Sequence, residues 1–379
     1  MKLHLPSRML EYMTTFVREP GPAGTPRRRL RDRVWQIAAA ATHPLDPADY
    51  LDMFRPLRPG ADLRARVVDV RPETADAVTV VLRPGGAWRG HRPGQYVRIG
   101  LDVDGVRLWR SYSLTSAPNA ADGLLSITAK AVPDGVVSAH LSQELRPGQL
   151  VHLDQALGDF VLPDPAPTKA LFVTGGSGIT PVMGMLRAGL DRLDDVVLVH
   201  SEASADDVIF GTELRALAEE GRLRLVEQHT DIHGRLDMTA LAALVPDLAE
   251  RQTWACGPAG LLDAIEEQWA ALDLPDRLHT ERFRTALAEP GEGGTVRFTG
   301  TDVALELDGA TSILDAGEEA GVLMPSGCRM GICFSCVLPL REGSVRDLRS
   351  GDLTTAAPGD GVLIQTCVSA AAGACDIDL

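Results

Sequence analysis

Three cysteines, Cys328, Cys333 and Cys336, stand close together in GCRMGICFSCVLPL, and a fourth, Cys367, follows in VLIQTCVS. Spacing of C-x4-C-x2-C with one distant thiolate is the ligand pattern of a [2Fe–2S] cluster. Zinc also accepts four thiolates, but structural zinc sites usually pair them as two short knuckles, so the unequal spacing favours iron–sulfur over zinc. Gly327, Gly331 and Ser335 allow the loop to wrap a cluster with backbone N–H groups toward its sulfurs. Cys375 reads as a small side chain near the end of a strand.

A second chemistry lies upstream. LFVTGGSGITPVMGML at 171–186 sets Gly175, Gly176 and Gly178 between an apolar strand and a helical pattern, where helix N–H groups can meet a dinucleotide pyrophosphate. The turn is not G-x-G-x-x-G. RSYSLTS at 110–116 and AKAVPDGVVSAHL at 129–141 precede it, and CGPAGL at 256–261 and HTERF at 279–283 follow. Each is weak alone; their order makes them informative together.

In that order the segments resemble the ferredoxin–NADP reductase family, and residues 295–379 resemble the plant-type ferredoxins. The resemblance implies FAD, with Arg110 and Lys130 as cations near its phosphates, Tyr112 as a planar face and Ser113 bonding N5. It implies a pyrophosphate-binding helix start at Gly135, Val137 and Ser138, and a helix after the Gly-rich turn capped by Thr180 with Pro181 as its first residue. Cys256, completed by Gly257 and Pro258, would orient the nicotinamide toward the flavin rather than act as a nucleophile, and Glu281 would relay a proton. The four cysteines would hold the cluster. NADPH-using relatives often carry an Arg where HSEASADD has Glu202 and Ala203, which leaves Arg235 as a substitute and NADH or NADPH as the donor.

These groups need three supports. Residues 61–165 alternate apolar and polar in short runs punctuated by RPGG, RPGQ and PDG, which predicts an antiparallel β-barrel for the flavin. Residues 166–285 alternate apolar strands with helical patterns, which predicts an α/β nicotinamide domain on a parallel sheet. ALAEPGEGG at 286–294 reads as a linker, and 295–379 as a small α+β unit, β-grasp in the resemblance. Residues 1–60 form an extension, expected to be helical, with five Arg between 27 and 33.

The chain has 379 residues, 45% of them hydrophobic, without an apolar run long enough to span a membrane and without a secretory segment at the start, so a cytoplasmic protein is expected. Net charge is −15, and residues 291–379 carry five Lys/Arg against thirteen Asp/Glu, which argues against nucleic acid and for a basic protein partner. A nicotinamide yields two electrons as hydride and the cluster takes one, so a flavin must stand between them. The expected path is NAD(P)H to FAD to cluster to an external oxygenase, hydroxylase or fatty-acid desaturase. The rivals are a slow redox sensor or carrier, and a flavin reductase or oxidase with a regulatory ferredoxin domain. The basic N-terminal segment, or the acceptor, would provide any peripheral membrane association.

Overall fold

A computed structural model describes residues 47–103, 106–118, 120–132, 135–283, 291–301, 303–327, 329, 331 and 334–379. The arginine run at 27–33, residues 286–290 of the expected linker, and Cys328 and Cys333 lie outside the described residues. The chain divides into Met1–Pro56 and Leu57–Leu379. In the first unit, helix α1 spans Pro47–Phe54 and opens on proline, whose missing N–H would have no helical partner there. The second unit carries three sheets.

The first sheet is antiparallel and built from β1 (Arg64–Pro72), β2 (Ala77–Pro84), β3 (Tyr96–Val103), β4 (Val106–Ser113), β5 (Leu125–Lys130) and β6 (Leu150–Leu153), in the order β4-β3-β6-β1-β2-β5. Its β-branched runs suit a pleated, buried surface. Strand β2 departs from alternation, with residues 77–82 all buried. Helix α2 (Val136–Gln143) lies against β2 and β5, and its Val137 and Leu141 join Val80 and Ile127 in one core.

The second sheet is wholly parallel: β7 (Lys169–Gly175), β8 (Asp195–Glu202), β9 (Arg224–His229), β10 (Gln252–Cys256) and β11 (Leu278–Glu281), ordered β11-β10-β7-β8-β9. Helices α3 (Ile179–Gly189), α4 (Gly211–Glu219), α5 (Met238–Leu244) and α6 (Ala259–Ala271) connect and cover it. Successive β7 side chains feed opposite cores, as a strand's period of two requires. Phe172 packs with Met183, Leu186 and Leu214, whereas Leu171 and Val173 pack with Leu241, Leu262 and Trp269. Burial on both faces explains the apolar runs of β7 and β8, whereas β9 and β11 at the two edges of the sheet are polar and partly exposed.

Helix α3 also docks on the first sheet. A Cβ at Gly184 would lie 2.3 Å from the Leu114 carbonyl oxygen, so only glycine lets the two backbones approach this closely. Arg187 donates to the Thr115 carbonyl at 2.8 Å while its Nε donates to Glu213 at 2.9 Å. Trp254 of β10 donates to the Val161 carbonyl at 3.2 Å.

The third sheet comprises β12 (Gly291–Phe298), β13 (Val303–Gly309), β14 (Val337–Asp347), β15 (Leu353–Ala356), β16 (Val362–Gln365) and β17 (Ser369–Ile377). Its order is β13-β12-β17-β14-β15, with β16 also on β14; β12 and β17 run parallel and the other pairs antiparallel. Helix α7 (Ile313–Glu319), capped by Ser312 accepting from Asp315 N at 3.1 Å, buries Ile313 and Leu314 against Val296, Phe298 and Ala371. Residues 291–294 belong to β12, not to a linker. Their glycines serve a bulge: the register with β13 shifts between Gly291 and Gly294, and Gly293 has φ +79°.

Among the described residues, no helix is long and apolar enough to cross a membrane.

Candidate active site and cluster site

The chain runs from β7 outward through β8 and β9, then returns to the other side of β7 as β10 and β11. That reversal opens a crevice at the carboxyl ends of β7 and β10, where open α/β sheets bind ligands. Two turns meet there at backbone distance. A Cβ on Gly178 would stand 2.0 Å from the Cys256 carbonyl oxygen, one on Gly257 3.0 Å from Gly175 N, and one on Gly175 2.8 Å from Pro258 Cδ. Residues Gly176–Gly178 form a single 3-10 turn, entered through Gly176 at φ +56°.

Helix α3 starts two residues before Pro181, which therefore takes its third position rather than its first. Thr180 does not cap it. Its hydroxyl donates to the Ser177 carbonyl at 2.9 Å, and no side chain caps the helix at Gly178.

A cavity of about 520 Å³, in the range of small-molecule sites, opens between the first and second sheets. Tyr112, Ser113 and Lys130 line it from the first sheet, Ser177 and Thr180 from the Gly-rich turn, and Glu281 from the end of β11. Burial pushes the Tyr112 phenol pKa up, so it stays neutral. Lys130 sits 3.3 Å from Glu202, joining the end of β5 to the end of β8. Arg110 does not line the cavity; it donates to the Trp109 carbonyl at 2.8 Å, and burial, then Arg329, lower its pKa. At the start of α2, Ser138 donates to the Gly135 carbonyl at 3.0 Å, and a Cβ on Gly135 would lie 2.5 Å from that hydroxyl. Val137 and Ser138 are buried. Ala203 follows the end of β8, and Arg235 is exposed beyond β9.

Cys256 and Glu281 are partners in the register of β10 and β11. Cys256 is fully buried and outside the cavity lining. Burial first, and Glu281 second, raise its thiol pKa, so it is no thiolate at neutral pH. Burial also pushes the Glu281 carboxyl up to about 8, and its Oε2 has no hydrogen-bond partner. Tyr96, Phe160, His279 and Phe283 line the cavity as well. His279 stacks on Trp254 with centroids 4.9 Å apart. Motif spacing does not single out Tyr96 and Phe160, and HTERF does not mark His279 and Phe283 as lining residues; only the convergence of these three segments does.

Of the four thiols singled out by spacing, Cys336 at the foot of β14 and Cys367 in the turn before β17 are brought together, with Sγ atoms 3.2 Å apart and both residues buried. That separation exceeds the ~2.05 Å of a disulfide. Thr366 ties the two segments by donating its hydroxyl to the Cys336 carbonyl at 2.9 Å. Gly331, within the same loop, has its carbonyl held by Arg349 at 3.1 Å and Gln365 at 2.8 Å. Paired thiols at the base of a braced loop fit a thiolate-ligated cluster.

Residues 79–162 match the oxidoreductase FAD-binding domain family, 172–267 the oxidoreductase NAD-binding domain family, and 296–372 the 2Fe-2S iron-sulfur cluster binding domain family. The chain is 48% identical over 369 residues to an NADPH oxidoreductase of Mycobacterium tuberculosis, covering 96% of each. It is 31% identical over 309 residues to the glycine betaine monooxygenase reductase subunit of Pseudomonas aeruginosa, covering 73% of this chain and 84% of that protein. Its fold is similar to that of phthalate dioxygenase reductase, with a TM-score of 0.58 at 22% identity over 83% of this chain and 97% of the other. The cavity between an antiparallel and a parallel sheet, the paired thiols and these matches agree: the chain belongs to the NAD(P)H-dependent oxidoreductases that combine FAD-binding, NAD-binding and [2Fe–2S] domains.

Proposed function

We propose that the chain takes hydride from NADH or NADPH and delivers single electrons to a separate terminal oxygenase, with a hydroxylase or fatty-acid desaturase as acceptors of the same class. Residues 61–165, 166–285 and 295–379 serve as flavin barrel, nucleotide domain and β-grasp cluster domain, with 1–60 as an extension. FAD supplies a carrier that accepts electrons in pairs and releases them singly, and the cluster a one-electron carrier.

This chain's residues have the remaining work. Arg110, Lys130 and the N–H groups at Gly135, Val137 and Ser138 would hold flavin phosphates, and Tyr112 and Ser113 would receive the ring, Ser113 as the partner for N5. The backbone of Gly175, Gly176 and Gly178, with Thr180, receives the dinucleotide, and Cys256, Gly257 and Pro258 shape the nicotinamide pocket. Glu281, whose carboxyl burial pushes up to about 8, is the proton holder at the cavity wall. Cys328, Cys333, Cys336 and Cys367 hold the cluster.

The observation that carries this reading is the single cavity walled by Ser113 from one sheet and by Thr180 and Glu281 from the other, which fits a donor and an acceptor ring meeting there. The monooxygenase partner of the Pseudomonas relative supports an oxygenase as acceptor. Anaerobic titration with NADH, then NADPH, while following absorbance and electron paramagnetic resonance, tests it. Both chromophores should bleach with a reduced-cluster signal. Flavin bleaching beside a cluster that stays oxidised would sink the electron path.

A further inference from the structure

The side chain of Arg98 crosses from the first sheet to the cluster loop. Its Nη1 donates to the hydroxyl of Ser335, the residue before Cys336, while its Nε donates to Asp154 at 2.5 Å. The guanidinium also lies over the Trp109 ring, 5.5 Å from the centroid. Carboxylate, indole and hydroxyl thus take three sides of one planar cation, and little of that side chain is left to solvent, 14%.

Its place in the strand register gives the contact a purpose. On β3, Arg98 is the partner of Ser111 on β4, and Tyr96 is the partner of Ser113. Cross-strand partners share a face, and residues two apart on a strand do too. Tyr96, Ser111 and Ser113 all line the cavity. Arg98 is thus the next member of that row, past the cavity's edge, and it ends on the loop that carries a cluster thiol. Arg110, one residue from Ser111 and so on the other face of β4, feels the charges of Arg329, Glu318 and Asp315 near the third sheet. Arg329 is itself fixed to Asp315 at 2.6 Å and to Glu318.

We propose that Arg98 is the positioning residue for flavin-to-cluster electron transfer, anchored by Asp154 and Trp109 and holding the cluster loop through Ser335. This deepens the proposed function and rests on it. A hydride carries two electrons and the cluster would accept one at a time, so under turnover with cytochrome c as terminal oxidant the contact would be crossed twice per hydride, and once in the absence of an oxidant. Arg98 adjoins the cavity only through its strand neighbour Ser111 and is not itself among the lining residues, so the hydride step should feel it far less than the electron step.

The test is anaerobic stopped-flow mixing of the holoenzyme with NADH or NADPH, resolving flavin reduction from cluster reduction, for Arg98→Ala, Arg98→Lys, Ser335→Ala and the Arg98→Ala/Ser335→Ala pair. Losing one charge-assisted hydrogen bond should slow the electron step by roughly tenfold. Flavin reduction should stay within about twofold of the parent, and Arg98→Lys should restore part of the loss because it keeps the charge without the fork. Ser335→Ala, a small change, should slow the same step, and the double variant should be no slower than Arg98→Ala, as expected for one shared contact. An electron step unchanged in Ser335→Ala and Arg98→Ala overturns the proposal. So does equal slowing of flavin reduction, which would place Arg98 in the flavin site, and so do additive losses. Absence of a flavin or cluster signal in the parent would instead overturn the proposed function.

Discussion

Glu281 is a carboxyl on the wall of a cavity with no partner for one oxygen, and burial alone accounts for its raised pKa. Its ordinary value is 4.5 and its folded value about 8, so between those the folded chain binds more protons than the unfolded one. Stability contributed by the protonated form is complete at acid pH and is lost as pH rises through the folded value. Glu281→Gln removes the charge and the titration together. Its melting temperature, relative to the parent, should rise progressively from about pH 5 to about pH 9. A constant gap across that range would show that Glu281 titrates normally. If the neutral acid serves the hydride step, turnover of the parent should fall above pH 8 and that limb should vanish in Glu281→Gln.

At the scale of elements, the junction of the β7 and β10 turns decides whether the nucleotide crevice exists. Gly178→Ala would drive a methyl into the Cys256 carbonyl oxygen at 2.0 Å, where backbone must yield. A loss above about 2 kcal/mol in denaturant unfolding and a collapse of nucleotide affinity are expected. Gly260, in the first turn of α6, has open space around its missing Cβ, so Gly260→Ala should hold or gain up to about 1 kcal/mol. Equal effects of the two changes would mean that close approach does not explain the glycine at 178. The same turns show what sequence makes legible. Glycines and cysteines at fixed spacing carry their geometry locally: Gly175, Gly176 and Gly178 lie in the turn between β7 and α3, and Cys336 and Cys367 lie side by side. Phe160, in the loop after β6, and His279, in β11, are ordinary residues until distant segments fold together, and nothing in the sequence marks Arg98. Thr180 and Pro181 lie inside the helix rather than at its start because the chain already turns at Gly176–Gly178 and α3 begins at Ile179, and sequence does not distinguish a 3-10 turn from the first turn of an α-helix.

For the whole molecule, charge and cluster set the outlet. Cys336→Ser should lose both the reduced-cluster resonance and cytochrome c reduction; retention of both would remove Cys336 from the ligand set. With five basic against thirteen acidic residues at 291–379, electron delivery to a basic acceptor should slow as salt rises from about 50 to about 500 mM. A rate indifferent to salt would exclude charge-guided encounter.

The seating of α3 on the first sheet has its own consequence. Gly184 against Leu114, Arg187 on Thr115 and Trp254 on Val161 join two cores that other chains could keep separate. Heat should therefore not find a reductase with one half melted: the flavin and nucleotide halves should share one calorimetric endotherm. Enlarging residue 184 should split it in two.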